Sequence, residues 1–479
     1  MDERTDTGLP QNADGGVEFI MKVLLVNPWQ PIHPSTVPSF GTEWPLGILY
    51  VAAAVRAAGH EVVVYDLVVG GNTAWLKNGS FQLFHSSSSI PGYPEGIKLL
   101  GAPIESLKTV LKSVCPDVVG MSLQFSSQHM FVPYFIQLIK EAAPNAKIVV
   151  GGTHATLGAE LLAGIDGIDY IVTGEGEISF PKLLAALEDN QSTNNIAGVY
   201  PTPFELIEDV DLLPLPAFDL VVSYTYYLSD GKPVVQIFSS RGCPFSCRFC
   251  SSPYLTRRRW RPHSANRVLS EIARLVNGGV KEIRFVDDNV ALDGDRWKAI
   301  MEGVIRNRWK LLLSACSFHV KTLDKEALML MRMAGFERVM FAPESGNDRV
   351  IKELIGKNFT VAECRQMVQD ITEVGLAPDL NIMIGMIGET VAEIQDTINF
   401  CQWAKQYNPN CGAWISCAIP MLHTELYDEA VAKGTFPGGV PDLFSYAVPT
   451  YDGEGWTRED LRKVWEILNY NMNNKGKAP

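Results

Sequence analysis

The chain has 479 residues, 46% hydrophobic and 20% charged, a balance that excludes a disordered or fibrous protein and leaves room for two or three domains. Its net charge of −13 removes the basic face needed to hold a phosphate backbone, and no apolar run has the roughly 20 residues that span a bilayer. Nucleic acid and membrane are therefore not expected partners, and nine cysteines, an odd count, point to a reducing cytoplasm rather than a disulfide framework.

The acidic, polar residues 1–20 are expected to be a disordered extension, with the folded part starting at Met21. Short β-branched runs follow at Lys22–Asn27, Glu61–Leu67, Asp117–Leu123, Lys147–Gly152 and Asp169–Gly174, separated by helical patterns such as "PLGILYVAAAVRAAG" (Pro45–Gly59). This alternation predicts an α/β domain over 21–190 with a parallel, doubly wound sheet and a ligand beyond the carboxyl ends of its strands. Glycine strings lie there, "GGTHAT" (Gly151–Thr156) and "GEGE" (Gly174–Glu177), placing bare backbone near a ligand or simply making tight turns. No GxGxxG follows the first strand, so a nicotinamide-type site is not supported. The connection from Val68 to Glu95 is long enough to be a lid or a disordered loop.

Residues 191–233 are rich in proline and acids and read as a linker packed on both neighbours. A second alternation, 234–427, has strands near Val235–Ser239, Glu282–Asp287, Lys310–Ser314, Arg338–Ala342, Leu380–Ile384 and Gly412–Ala418, which predicts an open, partial (β/α)6 barrel. The C-terminal region, 428–479, is small and mostly helical, with a helix over Thr457–Tyr470 capped by Thr457 and Asp460.

"SRGCPFSCRFCSSP" (Ser240–Pro253) follows the first barrel strand and holds Cys243, Cys247 and Cys250. A structural zinc site closes with four ligands, and no fourth cysteine or histidine comes before His263. Three close thiolates suit a cubane iron–sulfur cluster with one open iron; a zinc or purely redox site is the competing reading.

The spacing, the aromatic Phe249 before the last cysteine and the position after the first barrel strand resemble the radical S-adenosylmethionine (SAM) superfamily. That resemblance implies a [4Fe-4S] cluster whose fourth iron chelates SAM and cleaves it, on reduction, to a 5′-deoxyadenosyl radical. The other barrel strands also end in polar or glycine residues, "VDDN", "SACSFHV", "APESGND" and "IGMIGET", where Asp287, Asp288, Glu344 and Ser345 are acceptors for an amine and a ribose diol. The resemblance implies that Asp287 meets the methionyl amine, that Glu344 and Ser345 meet the methionyl or ribose part, and that Ile384 lies against the adenine, with Phe249 also among the SAM-binding residues. Two places depart from the family pattern. His319 stands where many relatives have an arginine, with a satisfied core histidine as the competing reading, and "PMLHTELY" (Pro420–Tyr427) replaces a Pro-Gly-Thr string.

From Met21 to Met421 the chain resembles the cobalamin-binding class of that superfamily, through "WPLGILYVAAAVRAAGHEVVVYD", "GGTHAT" and "TGEGE" ahead of the barrel. In that class the N-terminal domain is Rossmann-like and the corrin lies between the domains. The histidine-bearing Asp-x-His-x-x-Gly signature is absent, and His33 in "PIHPSTV" lacks its partners, so a lower face without histidine is expected. The implied corrin contacts are Trp44, Leu46, Gly47, Ser122, Gly151, Gly152, His154, Gly174 and Glu175. Relatives that methylthiolate transfer RNA bring three more cluster cysteines, whereas residues 1–240 hold only Cys115.

The implied activity is methyl transfer to an unactivated carbon, or less often phosphorus, of a small molecule, using two molecules of SAM and an external flavodoxin- or ferredoxin-type electron donor. Oxidative cyclisation or ring rearrangement without methylation is the alternative, and a non-catalytic cobalamin or iron–sulfur sensor a third. The C-terminal region is expected to face the substrate, and "TRRRWR" (Thr256–Arg261) reads first as a solvated charge run. Aromatics in "SYTYYL" (Ser223–Leu228) and "FSYAVPTYDGEGW" (Phe444–Trp456) either line a pocket or fill a core.

Overall fold

The computed structural model describes residues 21–32, 44–69, 98–221, 226, 234–440 and 448–473. The expectations for residues 1–20, His33, most of the Val68–Glu95 connection and the first parts of both aromatic strings lie outside these residues.

Five parallel strands, β1 (Lys22–Asn27), β2 (Glu61–Asp66), β3 (Val118–Ser122), β4 (Lys147–Gly151) and β5 (Tyr170–Ile171), form one sheet in the order β2-β1-β3-β4-β5. In β1 the apolar run is continuous because both faces are covered: Val23 and Leu25 enter one core, Leu24 and Val26 the other. Helix Leu46–Ala57 joins the first core through Leu46, Leu49 and Ala53. β5 is shorter than the expected run because Val172 leaves the parallel ladder and bridges Val199 in antiparallel sense.

Six more parallel strands, β6 (Val235–Ile237), β7 (Glu282–Phe285), β8 (Leu312–Ala315), β9 (Arg338–Glu344), β10 (Ala377–Ile384) and β11 (Gly412–Cys417), follow in spatial order. They form two three-stranded sheets joined between β8 and β9 by the single bridges Leu313–Phe336 and Phe318–Phe341, which makes an open partial barrel. Ile237, Ile283, Phe285, Leu313, Phe341 and Leu380 pack outward into one core with helices Ala265–Asn277 and Gly294–Arg306. Side chains alternate along a strand, so Gln236, Arg284, Ser314, Asn381 and Ser416 face the barrel interior. The crossover helices start on side-chain caps: Asp293 accepts from the Arg296 N–H, and Thr390 and Glu393 cap each other reciprocally.

Residues 191–221 run across both halves in irregular chain and two short 3₁₀ turns. The Ala217 N–H donates to the Leu49 carbonyl, Asp219 pairs with Arg56 at 2.6 Å, and Asp211 lies 3.0 Å from His263. Helix Arg458–Asn473 starts with Thr457 and Asp460 bonded to each other, and lies on β11 through the Trp465 indole N–H and the Ile415 carbonyl. No helix among the described residues is long and apolar enough to cross a membrane.

Candidate functional site

The cysteine loop leaves β6 through Ser240–Arg241, which pair with Arg261–Pro262 in a short antiparallel ribbon. Its far side is pinned by backbone bonds between Arg248 and both Ile355 and Leu426, and by the Arg248 guanidinium on Glu425 and Glu429. Burial pushes all three thiols up, Cys247 to about 11 and Cys250 to about 12, and Cys243 adds to the effect on both through space. Among the described residues, no three His, Cys, Asp or Glu side chains meet closely enough to hold a single metal ion. Three thiols in one loop with no fourth ligand beside them suit a cluster of several irons with one open position.

A cavity of about 560 Å³ lies between the two halves of the chain. One wall is the carboxyl edge of the first sheet, with Gly47, Ser122, Gly151, Gly152, Gly174 and Glu175; the other is the barrel rim, with Phe238, Ser240, Cys250, Ser252, Val286 and Asp288. Gly152 has φ +99°, and a Cβ there would sit 2.6 Å from the Leu123 carbonyl oxygen. Gly174 has φ +70°, and a Cβ there would sit 2.5 Å from the Phe204 ring. Glycine is needed at both positions by the positive φ and by the close packing behind the wall, and both present bare backbone to a cavity with room for a large ligand such as a corrin. No histidine lines the cavity among the described residues.

Of the residues expected at a corrin, Gly47, Ser122, Gly151, Gly152, Gly174 and Glu175 line the cavity, while Trp44, Leu46 and His154 do not. Trp44 stacks on Tyr226 at 4.4 Å and donates to the Val234 carbonyl, and Leu46 is core. His154 is buried with its Nε2 3.0 Å from His129 Nδ1, and burial pushes its pKa down to about 4. The Glu175 carboxylate is already engaged by Arg261 at 2.6 Å, Arg241 at 3.1 Å and the Ile207 N–H at 2.7 Å. Burial opposes its charge, yet the two guanidiniums hold its carboxyl below the ordinary range.

The set expected at SAM divides in the same way. Asp287 is buried and accepts from the Ser239 N–H at 3.0 Å, the Ser239 hydroxyl at 2.8 Å and the Ser240 hydroxyl at 2.6 Å. Its neighbour Asp288 opens into the cavity beside the Ser252 hydroxyl at 3.4 Å, and its protein surroundings hold its carboxyl above the usual range. Glu344 has φ +63° and accepts from Lys357 at 2.8 Å. The Ser345 hydroxyl is buried against Thr397 at 2.9 Å. Ile384 is buried at the end of β10, before the turn in which Glu389 accepts from the Gly385 N–H at 2.6 Å. Phe249 packs partly buried on the barrel core, and His319 stacks on Phe245 of the cysteine loop at 4.4 Å, its pKa lowered by burial to about 4.

Four residues at the site carried no expected role: Arg241, Glu177, Lys357 and Ser252. Lys357 is tied to Glu344 and to the Ala342 carbonyl, and its charge favours the Cys247 thiolate. In the run "TRRRWR", Arg257, Arg258 and Arg259 are exposed, as a solvated charge run would be, whereas Arg261 is not. Arg261 is buried on Glu175, Arg259 pairs with Glu208, and Arg257 lies over the Phe204 ring at 4.8 Å, so the run straps the linker to the barrel. The signal available in the sequence was the acidic linker opposite it.

Residues 237–401 match the Radical SAM superfamily, and residues 96–184 match the B12 binding domain. An uncharacterized methyltransferase of Pyrococcus horikoshii is 30% identical over 427 residues, covering 86% of this chain and 84% of the relative. The chain belongs to the cobalamin-binding radical SAM family. The cofactors of this family are a [4Fe-4S] cluster, SAM and cobalamin. The cytidylyl-2-hydroxyethylphosphonate methyltransferase of Streptomyces wedmorensis is 25% identical, covering 86% of this chain and 82% of the relative. The radical SAM methyltransferase TsrM of Kitasatospora setae, with cobalamin and a [4Fe-4S] cluster, shares the fold at a TM-score of 0.64 and 17% identity, over 87% of this chain and 75% of that one.

Proposed function

We propose that this member of the family is a methyltransferase acting on an unactivated carbon, or less often phosphorus, of a small molecule. The observation that carries the reading is the single cavity that sets Gly152 and Gly174 of the first sheet across from Cys250 and Asp288 of the barrel. Both relatives carry methyltransferase names, which supports the same reaction type.

In this reading the chain divides into a cobalamin-binding domain at 21–190, a linker at 191–233, a radical SAM barrel at 234–427 and a substrate-facing region at 428–479. When bound, the cofactors supply a transferable methyl group and a carbon radical that removes a substrate hydrogen; the protein supplies placement. Cys243, Cys247 and Cys250 hold the cluster. Asp288 and Ser252 face the cavity with free acceptor capacity for the methionyl amine, while Asp287 shapes the rim through Ser239 and Ser240. The glycine wall would carry the corrin, and among the described residues no histidine of the lining stands ready to ligate it. Tyr451 and Trp456 brace the turn after β10 through the Gly385 and Glu389 carbonyls, which keeps that edge of the barrel closed to water. The reading also includes an external flavodoxin- or ferredoxin-type donor, no nucleic-acid partner and a cytoplasmic location.

The test is reconstitution without oxygen. About four irons and one corrin per chain are expected, and reduced protein with substrate yields S-adenosylhomocysteine together with 5′-deoxyadenosine. A corrin-free protein with an intact cluster sinks the reading, and 5′-deoxyadenosine alone moves it to the non-methylating chemistry. Nitrogen coupling from a lower axial ligand in the paramagnetic resonance spectrum of the bound corrin overturns the histidine-free lower face.

A further inference from the structure

One level of the barrel interior carries three polar side chains side by side. Arg284 on β7 is the direct register neighbour of Gln236 on β6 and of Ser314 on β8. Among the described residues, the Arg284 guanidinium has no hydrogen-bonding or ionic partner, and the buried Ser314 hydroxyl has none either. Gln236 is only 3% exposed, and its amide is likewise without a partner there.

The contrast within the same barrel is direct. Arg338 on β9 is neutralised by a bidentate pair with Asp379 on β10, and Arg349 by one with Glu393. Arg284 is partly buried, and a partly desolvated arginine with no counter-charge gains most from a ligand that brings one.

Position indicates which ligand. Phe238 and Val286, each two residues further along the same strand faces, line the cavity between the cysteine loop and the glycine wall. Two residues of strand are about 7 Å, so the polar row lies that far below the cavity floor. A small molecule whose reacting atom is at the floor reaches the row with a group a few bonds away. A planar fork of N–H donors, flanked by an amide and a hydroxyl, matches an oxyanion.

We propose that Arg284, Gln236 and Ser314 form a subsite inside the barrel that binds the anionic group of the substrate, a carboxylate, phosphate or phosphonate. This rests on reading the cavity as the reaction chamber. It makes the substrate an organic anion held by its charged end, with the reacting centre pointing at the rim.

The experiment measures binding of two probes, acetate and methylphosphonate, to full-length protein reconstituted without oxygen, by magnetic resonance titration. At least one probe is expected to bind the wild type, and the preference between them separates carboxylate from phosphorus oxyanion substrates. R284Q weakens that binding about tenfold or more, and R284K, which keeps the charge but loses the fork, weakens it several-fold. Iron and corrin contents report whether each variant is folded; should R284Q fail that control, R284K decides. Equal affinity in wild type and R284K, or a wild type that binds neither probe, overturns the subsite. SAM affinity is measured in the same samples, and a loss equal to that of the probe also overturns it, because the arginine then holds the methionyl carboxylate. Failure of the chamber reading looks different: the wild type holds no corrin or cleaves no SAM while anion binding persists.

Discussion

The Arg241 guanidinium lies 2.6 Å from the Glu177 carboxylate, joining the barrel to the first sheet two residues before Cys243. The same guanidinium reaches Glu175 at 3.1 Å and stands over the Tyr50 ring at 4.9 Å, so the cysteine loop and the glycine wall are fixed to one buried charge. R241Q leaves two buried carboxylates short of a partner and is expected to cost about 3–5 kcal/mol, read as a lowered thermal midpoint. E177Q costs less, because Arg241 keeps Glu175. Equal effects from the two variants contradict this picture of the network.

Adjacent aspartates are expected to behave differently. D287N disturbs the bonds to Ser239 and Ser240 and lowers stability by about 1–3 kcal/mol. D288N, which faces the cavity, weakens SAM binding about tenfold with an unchanged thermal midpoint. Equilibrium dialysis with SAM and thermal unfolding on both variants check this, and a reversed pattern returns Asp287 to the cofactor.

Gly152→Ala forces a left-handed backbone on a residue whose Cβ meets the Leu123 carbonyl at 2.6 Å. The variant is expected to lose corrin while keeping its iron, because the cysteine loop is built on the other half of the chain. Metal analysis together with the visible absorbance of the corrin reads both. Retention of corrin at wild-type level removes Gly152 from the wall.

The contribution of Glu271 to stability is expected to fall as the pH rises from about 4.5 to about 7. Burial raises the Glu271 carboxyl to about 7, against the pull of Arg267 and Arg274, from its ordinary 4.5. Between those values the folded chain holds a proton that the unfolded chain has released, so each step upward favours unfolding. Glu389, also raised to about 7 by burial, acts in the same sense. E271Q removes its share, on the order of 2 kcal/mol, and is expected to be more stable than wild type at pH 8 but not at pH 5. Denaturant midpoints at the two pH values decide it, and parallel curves refute the assignment.

The parallel sheets, the barrel and the cysteine loop were legible because their signals are local. Runs such as "KVLLVN" are apolar on both faces, and the three cysteines fall within eight residues. The glycines that line the cavity were legible for a related reason, since strings such as "GGTHAT" stand directly after the strands whose ends form its wall. The charged and aromatic residues were less so. Glu175 and Glu177 differ by two positions in a string that reads uniformly, and nothing in the string says that two arginines beyond residue 240 neutralise them.

The sequence by itself determined the order of strands and helices and the family, because periodicity and cysteine spacing are properties of neighbouring residues. Only the tertiary structure decided which of Asp287 and Asp288 faces the cavity, that Arg261 of "TRRRWR" is buried on Glu175, and that Arg284, between Gln236 and Ser314, has no ionic partner among the described residues. Whether a charge is satisfied depends on what lies within about 4 Å of it, and those partners come from segments tens to hundreds of residues away.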